Sequence, residues 1–67
     1  MFNGEKLAEY MVKNDITRVA LANELGVSES AVRHIIKGLR QPSFIQACEI
    51  AQMMDCTIDD LVIKEEE

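Results

Sequence analysis

The sequence predicts an all-α domain of five short helices, and three observations carry that prediction. Five segments place apolar residues three and four positions apart, the spacing that lines one face of a helix. Each is preceded by a residue whose short side chain can cap a helix N-terminus: Asn3, Thr17, Ser28, Ser43 and Thr57. Gly26 and Gly38 fall where the second and third segments must stop, and the one proline, Pro42, falls between the third and the fourth.

In chain order, Asn3 caps the first helix and Phe2 lies just outside it, placed to staple onto Leu7. Leu7, Tyr10 and Met11 form the buried stripe, with the Tyr10 hydroxyl expected at the surface. Asn14 and Asp15 favour a turn, after which Ile16 re-enters the core. Thr17 starts a second helix with Leu21, Ala22 and Leu25 inward and Asn23 and Glu24 outward. Gly26 ends it in the left-handed conformation, Val27 is buried at the corner, and Ser28 starts the third helix, 28–37. There Val32 and Ile35 point inward. At about 100° per residue, Glu29, Ser30, Arg33 and Lys37 fall within a quarter of the circumference, with His34 at its edge. After Gly38 and a loop, Ser43 caps the fourth helix, whose expected buried surface is Phe44, Ala47, Cys48, Ile50, Ala51 and Met54. Thr57 and Asp60 resemble a capping box for a last short helix, 58–61.

The chain has 67 residues, 48% of them hydrophobic and 28% charged, which fits one small globular domain. Residues 1–63 are expected to form it and 64–67 an acidic tail. A domain this short is marginally stable alone, so dimerisation is expected, with Val62 and Ile63 as candidate contacts. No apolar run approaches the ~20 residues that cross a bilayer and no leader pattern opens the chain, so a cytoplasmic protein without membrane contact is expected. Cys48 and Cys56 lie too far apart along a helix rising ~1.5 Å per residue to pair, and both are expected to be reduced core residues.

The formal net charge of −5 runs against nucleic-acid binding, but its distribution does not. Residues 13–42 carry Lys13, Arg18, Arg33, Lys37 and Arg40 against three acids, a balance of +2, while 43–67 carry Lys64 against seven acids, a balance of −6. The basic half can turn toward a polyanion with the acidic half away.

The stretch TRVALANELGVSESAVRHIIKG, residues 17–38, resembles the helix-turn-helix of the phage-repressor and Cro type, the XRE family. Ala22 stands where the helices cross, Gly26 follows four residues later and Val32 six after that; the likeness continues through Pro42, Ser43, Ile50, Ala51, Met54 and Thr57 to Leu61. The resemblance implies a lambda-repressor-like DNA-binding domain that regulates transcription, its second and third helices forming the motif, acting as a homodimer on a palindromic operator of double-stranded DNA. No cofactor or small-molecule ligand is implied.

On that reading the third helix is the recognition helix. Arg33 matches the guanine O6 and N7 acceptors, a pairing worth ~1–3 kcal/mol of discrimination. Ser30 and His34 can each add a hydrogen bond to a base. The resemblance places Arg18 and Arg40 on phosphates, and Gln41 with Arg40 in a loop that holds the sugar-phosphate backbone. Lys37 suits a phosphate or the negative end of its own helix. Glu29 replaces the glutamine frequent in the family, and three readings stand: an acceptor for cytosine, a repulsive element against wrong sites, or an acid favourable in a helix first turn. Ile36 occupies a position usually polar in the family and is expected to pack on Leu39. His34 is the one histidine, so neither a zinc site nor a catalytic pair is expected, and the chain shows no glycine-rich phosphate loop of an enzyme. The rival is a helix-turn-helix-fold protein-interaction module, an antirepressor or adaptor, favoured by Glu29, Ile36, Val62, Ile63 and the acidic total.

Overall fold

The computed structural model describes residues 1–63; the expected tail, 64–67, lies outside the described residues. Four α-helices follow in order, α1 (Gly4–Lys13), α2 (Arg18–Leu25), α3 (Glu29–Ile36) and α4 (Phe44–Met53). The expected fifth helix is a single 3₁₀ turn, Ile58–Leu61. Four residues close one turn only, and Val62 behind them is extended, which ends the winding there. None of the helices described is long and apolar enough to cross a membrane.

All five caps hold. Asn3 Oδ1 accepts from the Lys6 N–H, Thr17 Oγ1 from Ala20, Ser28 Oγ from Ala31, Ser43 Oγ from Gln46 and Thr57 Oγ1 from Asp60. Two are closed in both directions: Gln46 accepts from the Ser43 N–H at 3.0 Å, and Asp60 from the Thr57 N–H at 3.2 Å.

The helix ends share one device. At each, a residue with positive φ (Asp15, Gly26, Gly38, Asp55) is followed by an N–H that reaches back to a carbonyl five residues earlier. These bonds run from Ile16 to Met11 (2.9 Å), Val27 to Ala22 (3.0 Å), Leu39 to His34 (2.9 Å) and Cys56 to Ala51 (3.0 Å). The pattern is the Schellman ending, which satisfies carbonyls the helix leaves free and turns the next residue inward. Ile16, Val27 and Cys56 accordingly pack against the core. Leu39 does not; it is 74% exposed.

The core gathers Phe2, Leu7 and Met11 from the N-terminus and α1, Leu21, Ala22 and Leu25 from α2, Val32 and Ile35 from α3, Ile50 and Ala51 from α4, and Leu61. Among the described residues no polar or charged side chain is buried. Three expectations are corrected. Phe44 is 75% exposed, because it is the first residue of α4 and lies outside the stripe of Ala47, Ile50 and Ala51. Cys48 is a half-buried free thiol outside the core cluster, whereas Cys56, also free and half-buried, packs against it. Tyr10 is half-buried, and its hydroxyl donates to the Met53 carbonyl at 2.7 Å, joining α1 to the last turn of α4.

The two ends of the fold meet. The Asn3 N–H donates to the Leu61 carbonyl at 2.6 Å and the Ile63 N–H to the Met1 carbonyl at 2.7 Å, forming an antiparallel bridge between Phe2 and Val62. Beside it α1 meets α3 backbone to backbone: a Cβ on Gly4 would overlap the carbonyl oxygens of Ile35 and Ile36.

Two measurements follow from this packing. In thermal or denaturant melts, Gly4→Ala is expected to lose ~1–3 kcal/mol, since a backbone cannot yield as a side chain can. Asp55→Gly is expected to gain ~0.5–1 kcal/mol by removing left-handed strain. In the closing turn, the Thr57 N–H, and next its hydroxyl, hold the Asp60 carboxyl below its ordinary value of 3.8, with Lys6 adding a smaller pull. A pKa lowered by folding means that this contact stabilises fully above the ordinary value and is lost as pH falls through the lowered one. An NMR titration is expected to show that order, and Thr57→Ala to move the Asp60 midpoint upward.

Candidate nucleic-acid interface

The outward surface of α3 follows from what α3 buries. Ala31, Val32 and Ile35 face the core, so Glu29, Ser30 and Arg33 are left on the opposite side, all exposed. These three line a shallow concavity of about 170 Å³. His34 is half-buried at the edge of this face, as its place on the wheel predicts, and its carbonyl accepts from the N–H groups of Leu39 and Arg40. Lys37 caps α3 and is exposed, as is Arg40 in the loop beyond Gly38.

Arg18 is the first residue of α2, directly after the Thr17 cap. Its Nε lies 3.5 Å from Glu29 Oε1, and the two side chains are 50% and 51% exposed. The cations assigned to phosphates therefore bracket α3: Arg18 stands against its first turn, and Lys37 and Arg40 follow its last. Among the described residues no group of three or more His, Cys, Asp or Glu side chains is arranged to hold a metal ion.

Two residues of this region behave otherwise than expected. Ile36 is half-buried, packs against the core and, with Ala8, Met11, Val12 and Ile16, lines a groove beside α1, while Leu39, its expected partner, is 74% exposed. Gln41, placed by the resemblance in a phosphate-holding loop, accepts from the Phe2 N–H through Oε1 at 2.7 Å. Its side chain anchors the loop to the chain terminus. Sequence patterns miss Gly4 as well, the residue that lets α1 approach the end of α3. A glycine at the first position of a helix, where a better helix former is usual, was the available signal.

A family model described as helix-turn-helix matches residues 7–61. The chain belongs to the XRE-type helix-turn-helix family. It is also similar to an uncharacterized HTH-type transcriptional regulator of Methanocaldococcus jannaschii, with 36% identity over 62 residues, covering 92% of this chain and 94% of that protein. Within the family's motif, α2 and α3 are the paired helices and Gly26 is the turn between them, with φ 69°. Ala22, buried to 5% exposure, has the small side chain their crossing requires.

Proposed function

We propose that this helix-turn-helix protein binds double-stranded DNA in a sequence-specific manner through α3 and regulates transcription. The observation that carries the reading is the division of α3 into a buried apolar side and an exposed side of Glu29, Ser30 and Arg33, bracketed by Arg18, Lys37 and Arg40. An α-helix held rigidly from behind, with polar side chains outward, fits the major groove, where base edges present distinct donors and acceptors. Arg33 reads guanine, Ser30 and His34 add single hydrogen bonds, and the bracketing cations hold phosphates. The name of the archaeal relative, an HTH-type transcriptional regulator, supports the same role.

The protein acts as a homodimer on a roughly palindromic operator in the cytoplasm, by occupancy: the bound dimer obstructs or guides polymerase. Support for the dimer is the apolar edge at the paired termini. Met1, Val62 and Ile63 are exposed around the bridge that joins them, and a second copy would cover them. One observation favours the rival protein-interaction module: Leu39, Phe44 and Ile45 lie exposed close together in the chain. Ile36, by contrast, supports it less, being half-buried and packed against the core.

Selection from a pool of random duplex DNA at low salt, followed by sequencing and salt titration, tests the proposal. Two enriched half-sites about one helical turn (~34–36 Å) apart are expected. Affinity is expected to fall with salt with a slope of about −0.9 per phosphate neutralised. Arg33→Ala is expected to keep the wild-type melting temperature and to lose ~1–3 kcal/mol of discrimination at one base position. Equal loss on operator and random DNA contradicts the reading role of Arg33, and no retention at low salt favours the protein-interaction module.

A further inference from the structure

The contact between Arg18 and Glu29 is the one ion pair among the described residues, and it spans the two helices of the motif at the proposed DNA face. A carboxylate on such a face is unfavourable toward phosphates unless something neutralises it. Arg18 does so, and it does so incompletely in a useful sense. The contact engages Nε and Oε1, leaving Oε2 of Glu29 as an acceptor and the two terminal guanidinium nitrogens of Arg18 as donors. Both side chains are half exposed, so these groups are open to a ligand.

We infer that Arg18 and Glu29 work as one unit that reads cytosine, with Glu29 accepting from the base and Arg18 positioning Glu29 while its free nitrogens bind a phosphate. This rests on the proposed DNA-binding function and extends it to the identity of one base. The major-groove edge selects the base. Cytosine presents its N4 amino donor there, whereas adenine sets its N6 donor beside the N7 acceptor. A glutamine answers adenine's pair with one donor and one acceptor; a carboxylate can only accept, and its second oxygen would face N7 unfavourably. Guanine and thymine offer no amino donor on that edge.

Arg18 is thus a positioning residue for Glu29 as well as a phosphate ligand. Arg33 shares the concavity with Glu29 and Ser30, so the bases beside the cytosine fall to Arg33 and Ser30. Of the readings of Glu29 open from sequence, the ion pair favours the acceptor role. A purely repulsive carboxylate needs no cation beside it, and an acid serving only its helix N-terminus needs no contact with α2.

The test is selection from random duplex DNA with the full chain in four forms: wild type, Glu29→Gln, Arg18→Ala and Arg18→Lys, each checked for an unchanged melting temperature. Wild type is expected to enrich cytosine at one column of its motif. Glu29→Gln is expected to move that column, and no other, from cytosine to adenine, by about tenfold. Arg18→Ala is expected to weaken binding and also to flatten the cytosine column by about tenfold, leaving the guanine column of Arg33 intact. Arg18→Lys keeps the positive charge without the planar fork, so it is expected to retain more affinity than Arg18→Ala while still flattening the column. Uniform loss across all sequences in Arg18→Ala, with the column unchanged, overturns the coupling and leaves Arg18 a phosphate ligand alone. A column untouched by Glu29→Gln overturns the cytosine reading while the DNA-binding function stands. If wild type enriches no motif, the DNA-binding function falls and this inference with it.

Discussion

An isolated helix of eight residues does not persist in water, because nucleating its first turn costs more than so few hydrogen bonds return. α3 is such a helix, and its existence depends on the burial of Ala31, Val32 and Ile35 against the core. Full burial of an aliphatic side chain contributes about 1.5–3 kcal/mol, so Val32 and Ile35 outweigh anything α3 gains from its own propensity. The same burial determines which residues face outward. Glu29, Ser30 and Arg33 are presented because their helix is held from behind; the stability of the domain and the display of its polar face are one constraint.

The remaining elements brace that helix. α2 crosses it at Ala22, and Thr17 and Gly26 set where α2 begins and ends. α1 approaches the far end of α3 through Gly4, close enough that no other residue fits without a backbone shift. Phe2 then holds the following loop through Gln41. Both ends of α3 are thereby fixed, one by the corner with α2 and the other by the chain terminus. The proposed base-reading role requires such bracing, because a recognition geometry has to be held to within about 0.5 Å. The repeated Schellman ending serves it too, since each returns an apolar residue to the core or, at Leu39, leaves one beside the loop that carries Arg40.

Much of this was legible in the sequence, for identifiable reasons. Caps are local: Asn3, Thr17, Ser28, Ser43 and Thr57 each bond an N–H three residues on, so neighbouring residues suffice to place them. The inward stripe of α3 was legible because Val32 and Ile35 obey helical spacing. What escaped depends on distant partners or on register at a helix end. Gly4 is explained by α3 and Gln41 by Phe2, and no local pattern links residues so far apart. Phe44 misled because an aromatic residue beside a cap looks like core, although the first turn of α4 lies beyond the layer that covers it. Asp15 and Asp55 end their helices at positive φ where glycine is the usual signal, so only the turn tendency of Asp15 was readable. At the candidate site the residue types were all in view, but the pairing of Arg18 with Glu29 needed the angle between two helices.

The acidic total is reconciled with the DNA reading by where the charges lie, with Arg18, Arg33, Lys37 and Arg40 around α3 and most of the acids of the described chain after Ser43 or on α1. On the proposed function this one face meets the duplex, and an amide NMR titration of the labelled protein with duplex DNA at low salt tests that placement. Shifts confined to residues 17–19, 28–34 and 37–41 are expected, with the outer face of α1 around Val12 unchanged. Shifts centred on α1 and Met54, or no shifts at all, would contradict it.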